Sequence, residues 1–271
     1  MENEMIDTGY LFAKDSKRIF INTCLGCTGS CSYCYLSQIG YSNNEISSKV
    51  KRAEELIKQI ETQVPISKDT LVTLGCFSEC WDTKNKEETI QLIQYFLKRG
   101  NQIQLSTKKK IECDEIEAFA ELIEYLGQLV INVSSATINR WREFERGTDS
   151  PEERFKTFEI SSKFPIPTVL YIKPVLEGIT KKEILEYKKV IQQYRIKDVV
   201  VGSIFEEENP LEEKMDMTVP FSNQGELFYY PIPDELEMKR SFMQLGNIRV
   251  FSKSTEVTKY YKERNQQIAR E

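Results

Sequence analysis

From Cys24 to Cys34 the chain reads Cys-Leu-Gly-Cys-Thr-Gly-Ser-Cys-Ser-Tyr-Cys, which gathers four of its seven cysteines into eleven residues. Thiolate sulfur is a soft ligand for zinc, copper(I) or an iron–sulfur cluster, so the spacing decides which chemistry fits. A four-cysteine zinc site usually joins two C-x2-C turns across a dozen or more residues, letting each turn reach the metal from its own side. Here only Thr28, Gly29 and Ser30 separate the pairs, and the chain has no histidine for a mixed site. Zinc is the poorer match.

Without Cys24, the stretch is Cys27-x3-Cys31-x2-Cys34 with Tyr33 before the last cysteine. It resembles the signature of the radical S-adenosylmethionine (radical SAM) superfamily. The resemblance implies that Cys27, Cys31 and Cys34 hold three irons of a [4Fe-4S] cluster, while S-adenosylmethionine chelates the fourth iron. Two readings of Cys24 stay open: a buried thiol, or a ligand in place of Cys27.

The 271 residues suffice for one large domain, and their net charge of −5 gives no basic signature of nucleic-acid binding. No apolar run reaches membrane-span length, and residues 1 to 15 carry acidic residues where a signal peptide has a basic and then apolar start. A cytoplasmic location, with no membrane partner, is expected. In a reducing compartment the cysteines serve as ligands, catalytic thiols or core residues rather than disulfides. The lack of histidine leaves acid–base work to carboxylates, Lys, Tyr or Cys.

From Arg18 onward short β-branched runs alternate with helical patterns, the sequence form of repeated βα units around a parallel sheet. Strands are expected at Arg18 to Thr23, Thr70 to Leu74, Gln102 to Ser106, Leu129 to Ser134, Thr168 to Ile172 and Asp198 to Gly202. Helices are expected at Ile46 to Gln63, Glu87 to Lys98, Asp114 to Leu126, Pro151 to about Lys163, and Lys181 to Tyr194. The expected fold is α/β: a partial (β/α)6 TIM-like barrel over residues 18 to 203, preceded by a segment at 1 to 17. An irregular extension at 204 to 271 follows, completing or covering the barrel, with one more strand at Leu245 to Phe251 and a polar helix from Val257 to Ala269, facing solvent or an interface. Ligands of such sheets gather at the carboxyl ends of the strands, where the cysteine loop lies.

The other strand ends resemble spore photoproduct lyase and its relatives over roughly residues 18 to 203. After the second expected strand comes Gly75-Cys-Phe-Ser-Glu79. The resemblance implies that Gly75 meets the methionine amino group, Cys76 returns a hydrogen atom to the substrate radical, and Ser78 lies near the cofactor, with Glu79 replacing the family's Asp. Tyr33 and Tyr35 fit aromatic positions, Tyr35 as a radical relay. Lys108 resembles a lysine near the cofactor, Ser134 and Ser135 a ribose- or methionine-contacting strand end. Phe144 to Arg154 resembles the family's Glu-x-Gly-x-x-Ser-Pro-x-x-Arg stretch, and Ile172 to Gly178 its proline-containing fifth strand end. Plainer readings stand beside these: Cys76 as core, Lys108 as a solvated turn, the serines as ordinary strand ends. The resemblance also implies that Arg154 binds the cofactor; it finds no carboxylate at helical-neighbour spacing, and its plainer reading is a solvated arginine. Cys80 and Cys113 match no role.

The implied activity is reductive cleavage of S-adenosylmethionine to a 5′-deoxyadenosyl radical that abstracts hydrogen from a substrate, with electrons from an external flavodoxin or ferredoxin type of reductant. Three functions remain: a lyase-like enzyme acting on a pyrimidine lesion or nucleoside, a radical SAM enzyme for a peptide or small metabolite, and a non-enzymatic metal-binding protein.

Overall fold

The computed structural model describes residues 6–64, 66–206, 215–220 and 226–268. Each of the six expected strands is present: β3 Arg18–Ile21, β4 Leu71–Leu74, β5 Ile103–Thr107, β6 Leu129–Ser134, β7 Thr168–Ile172 and β8 Asp198–Val201. They pair in parallel, in sequence order. All six residues of β6 are buried, as expected for a parallel strand covered on both faces. Before β3, β1 Ile6–Asp7 and β2 Leu11–Asp15 add an antiparallel edge.

The helices α1 Ala53–Gln63, α2 Lys86–Lys98, α3 Cys113–Ala120, α5 Pro151–Ser161 and α6 Ile184–Gln193 connect the strands, with a short α4, Trp141–Phe144, before α5. Their apolar stripes pack with residues such as Ile19, Val72, Ile103 and Val199 in one core. The start of α5 follows its sequence signature: Ser150 accepts the Glu153 N–H and Pro151 occupies the first turn.

Two helices are shorter than expected. Residues 46 to 52 precede α1 as extended chain, because Ser47 N–H donates to Leu25 O and Lys51 N–H to Thr23 O, strapping this segment to the cysteine loop. The N-terminus of α1 is then fixed by Glu88, whose carboxylate accepts the Ala53 N–H at 2.6 Å. Helix α3 stops at Ala120, and the Gln128 side chain accepts the Glu124 N–H instead of a further helical turn forming.

The extension is more regular than expected. Short strands β9 Phe205–Glu206, β10 Met215–Pro220 and β11 Glu226–Tyr229 form a small antiparallel sheet, so Met215, Met217 and Pro220 lie in a strand. Helix α7, Pro233–Met243, begins on a proline whose missing N–H has no intrahelical acceptor to serve, and buries Met238 and Phe242. Strand β12, Arg249–Phe251, pairs in parallel with β8, and the nine-stranded order β1-β2-β3-β4-β5-β6-β7-β8-β12 leaves the sheet open. The partial barrel thus has seven parallel strands.

Helix α8, Ser254–Ile268, buries one side against the sheet, where a polar helix facing solvent or an interface is expected. Its Val257 and Tyr261 pack on Val130, Val169 and Val200, the sheet face opposite that covered by α1, α2 and α6. Tyr261 hydroxyl donates to Asp198 at 2.6 Å, and the Gln102 amide donates to Thr258 O at 2.8 Å. The helix therefore lies across the concave face and closes the lower part of the lumen. No described helix is long and apolar enough to cross a membrane.

Candidate functional site

Strand β3 feeds directly into the cysteine loop, which backbone hydrogen bonds hold from several sides. Cys27 N–H donates to Ser42 O at 3.0 Å, Ser30 N–H to Asn43 O at 2.7 Å, Ser32 N–H to Phe144 O at 2.9 Å, and Gly147 N–H to Gly29 O at 2.9 Å. Gly147 abuts the loop so closely that a Cβ there would stand 1.9 Å from the Thr28 carbonyl oxygen. Gly147→Ala is therefore expected to displace the loop, cost on the order of 2 kcal/mol of stability and lower the iron retained per chain. Melting and iron assay of that variant check both effects, and wild-type iron content would show that the loop tolerates the displacement.

Cys27, Cys31 and Cys34 line one cavity of about 290 Å³ at the carboxyl ends of the strands. Cys27 and Cys31 sulfurs flank Gly29, at 3.2 and 3.6 Å from where its Cβ would be, so a side chain there would crowd both thiols. The three thiols share this space, an arrangement that suits a multi-iron cluster. Burial pushes Cys27 up to about 12 and Cys31 to about 11, so taking up iron releases their protons. Cys24 is fully buried away from the cavity, with Asn85 donating to its sulfur at 3.2 Å.

The turn after β4 forms the facing wall. Gly75 has φ +76°, and its Cβ would meet that of Cys80 at 2.6 Å, so the turn needs glycine. The Glu79 carboxylate accepts from Thr107 hydroxyl at 2.6 Å, Lys108 N–H at 2.8 Å and Trp81 N–H at 3.1 Å, clamping this turn to the end of β5. Phe77 is fully buried against Tyr41, a packing role. Cys76 and Tyr35 both line the cavity, and the Tyr35 hydroxyl donates to the Cys76 carbonyl. Burial pushes the Cys76 thiol up to about 12. It stays S–H at neutral pH.

Of the three consecutive lysines only Lys108 lines the cavity, its ammonium 5.7 Å from the Tyr33 ring centre; Lys109 pairs with Asp149 and Lys110 with Glu112. Burial lowers the Lys108 ammonium, yet Cys31 and Glu145 outweigh it and leave its pKa above the ordinary value. Ser78 and Ser134 also line the cavity; the Ser78 hydroxyl faces Cys24, and the Ser134 hydroxyl oxygen is buried without a hydrogen-bond partner. Three thiols, a glycine turn and an orphaned hydroxyl fit a cluster with a polar nucleotide sulfonium beside it.

Ser135 and Arg154 stand one layer behind. Ser135 hydroxyl donates to Thr137 O at 3.0 Å. Arg154 is fully buried, not solvated: its guanidinium donates to Glu145 at 2.7 Å and to Ser134 O at 2.6 Å. Burial would raise the Glu145 carboxyl, but Arg154 and Lys108 hold it below the usual carboxylate range. Glu145 also accepts from Tyr33 hydroxyl and from Ala136 N–H at 3.1 Å, tying the cysteine loop to β6 and α5. Sequence reasoning placed Glu145 in a motif without giving it a role. It also missed Arg18, Gln104, Tyr171 and Lys173, which line the same cavity; the period-two alternation of the strands carried that signal.

No curated protein sequence matches the chain. Among solved structures, a spore photoproduct lyase variant aligns with TM-score 0.61 and 14% identity over 85% of this chain and 74% of that one. SuiB of Streptococcus suis aligns with TM-score 0.55 and 11% identity, over 88% of this chain and 49% of its own. TsrM, a radical S-adenosylmethionine methyltransferase from Kitasatospora setae, aligns with TM-score 0.52 and 10% identity, over 85% and 52%. At these identities the likeness is one of fold. Residues 21–191, from the end of β3 to α6, match the sequence profile of the Radical SAM superfamily, and with more than half its length so matched the chain belongs to that superfamily.

Proposed function

We propose that this radical SAM enzyme acts in the manner of spore photoproduct lyase, on a nucleoside-type or pyrimidine-lesion substrate, and that Cys76 returns a hydrogen atom to the substrate radical. As a superfamily member it uses a [4Fe-4S] cluster and S-adenosylmethionine and needs an external one-electron reductant. A flavodoxin or ferredoxin is the proposed donor, and the cytoplasm the proposed location. When bound, the cofactors supply one-electron cleavage of the sulfonium and a carbon radical that takes hydrogen from the substrate. The proposed ligands are Cys27, Cys31 and Cys34, with Gly75, Ser78, Lys108 and Ser134 toward the nucleotide.

The observation that carries the reading is the position of Cys76: a protonated thiol on the wall shared with the three proposed cluster cysteines, its backbone carbonyl accepting from the Tyr35 hydroxyl. An S–H bond is weaker than an aliphatic C–H bond, so transfer from Cys76 runs downhill. The thiol S–H breaks and the product C–H forms; the radical left on sulfur takes a hydrogen atom from the Tyr35 O–H, and the external reductant returns the resulting phenoxyl radical to tyrosine with one electron and a proton. Ser135, Arg154 and Glu79 act by positioning: they fix the strand end, the cysteine loop and the glycine turn. Cys76→Ala should retain S-adenosylmethionine cleavage at near wild-type rate and yield misdirected or solvent-quenched products, measured by mass spectrometry in deuterated solvent. An unchanged product distribution would remove the hydrogen-donor role.

A second reading, a peptide or small metabolite as substrate, is favoured by the net charge of −5, which opposes binding to a polyanionic duplex. Duplex binding measured against salt separates the two, because phosphate contacts lose affinity steeply as ionic strength rises.

A further inference from the structure

Below Cys76 the concave face carries a polar cluster that the cofactors do not account for. Arg18 of β3 donates through Nε to the Thr73 hydroxyl of β4 at 2.9 Å, and Gln104 of β5 donates to that same oxygen at 3.1 Å. The Thr73 oxygen therefore orients both neighbours. Arg18 stacks on Phe20, its guanidinium 4.2 Å from the ring centre. Among the described residues no carboxylate pairs with it, and its two outer nitrogens have no hydrogen-bond partner. Gln104 is 2% exposed, and its Oε1 is a buried acceptor without a donor. Both residues line the cavity. A cation without a counter-charge beside an amide oxygen without a donor is costly in a protein interior unless something arriving from outside satisfies both.

The rest of the wall agrees in sign. Lys108, Lys173 and Lys253 line the cavity with Arg18, and the one lining carboxylate, Glu79, is already engaged by three donors. Cys76 lines the same cavity, within electrostatic reach of Arg18. A group held by Arg18 would therefore share that cavity with the Cys76 thiol.

Resting on the radical reading above, we propose that Arg18 and Gln104 form a substrate-recognition subsite for an oxyanion, carboxylate or phosphate, that carries an adjacent N–H or O–H. Arg18 offers its two outer nitrogens as a fork to the oxyanion, and Gln104 accepts the neighbouring donor.

The test uses the cluster-loaded protein and reads alkylation of Cys76 by peptide mass spectrometry, with anionic iodoacetate against neutral iodoacetamide. Attraction by Arg18 should raise the iodoacetate-to-iodoacetamide ratio at Cys76 by roughly tenfold over that of free cysteine in the same buffer. Arg18→Gln should bring the ratio down to the free-cysteine value, and Arg18→Lys should keep most of the preference. Inorganic phosphate and acetate are then compared as protectants against iodoacetamide: stronger protection by phosphate assigns a phosphate-bearing substrate, by acetate a carboxylate. A wild-type ratio equal to that of free cysteine overturns the proposal without reliance on any variant. An unchanged ratio in Arg18→Gln, or protection by neither anion, overturns it too. Iron content and S-adenosylmethionine cleavage, measured on the same samples, report separately on the radical reading.

Discussion

Replacing Cys31 by serine is expected to abolish cluster assembly and, with it, all cleavage of S-adenosylmethionine. Serine is nearly the size of cysteine but a hard, weakly acidic oxygen donor, so packing survives while the affinity for iron does not. The fold should be retained, because the loop is held by backbone hydrogen bonds in which the Cys31 sulfur plays no part. Iron and sulfide analysis after anaerobic reconstitution, beside circular dichroism, checks the two halves. Wild-type iron in a folded Cys31→Ser protein would remove Cys31 from the ligand set. Cys24→Ser provides the contrast: that thiol is buried off the cavity, so its loss should leave iron content unchanged.

The second large effect is one of stability. Glu145 and Arg154 are both fully excluded from solvent, and Glu145→Leu would leave the guanidinium charged and without its carboxylate. Breaking a buried pair from one side costs about 3–5 kcal/mol, and for a chain of this size that lowers the melting temperature by on the order of 10 °C. The double variant Glu145→Leu/Arg154→Met should recover much of the loss, because no charge is then stranded. Thermal melts of the wild type, both single variants and the double variant form the cycle. Additive losses would show that the two side chains act independently. The Tyr33 hydroxyl also loses its acceptor in Glu145→Leu, so iron retention should fall even below the melting transition.

The barrel core was legible because its strands are short, continuous apolar runs, and a parallel strand covered on both faces has no other way to look. Thr168–Ile172 and Leu129–Ser134 match their expected spans residue for residue. What sequence could not convey were the partners that chain distance hides. Residues 46 to 52 have the composition of a helix start, but their backbone groups serve the cysteine loop instead. Arg154 has no carboxylate at neighbouring positions of its own helix, because its partner arrives from the end of α4 across an intervening turn. Helix α7 hid behind Pro233, a residue that opens helices as readily as it breaks them. Arg18 is named only as the start of a strand, and its link to Gln104 through Thr73 comes from neighbouring strands. At the site, Cys27, Cys31, Cys34, Gly75, Cys76 and Lys108 belong to short motifs and line one cavity, whereas Arg18 and Gln104 below them belong to no contiguous motif.

Ser42, Asn43, Phe144 and Gly29 accept backbone N–H groups that give the cysteine loop its shape without calling on the sulfurs. In a zinc finger the ion is the keystone, and without it the arch falls. Here the backbone carries much of that load, so much of the entropy of ordering the proposed ligands falls on folding rather than on assembly. Oxidative loss of the cluster would then leave an intact shell that can be refilled, and damage and repair of the cofactor become events separate from the life of the polypeptide.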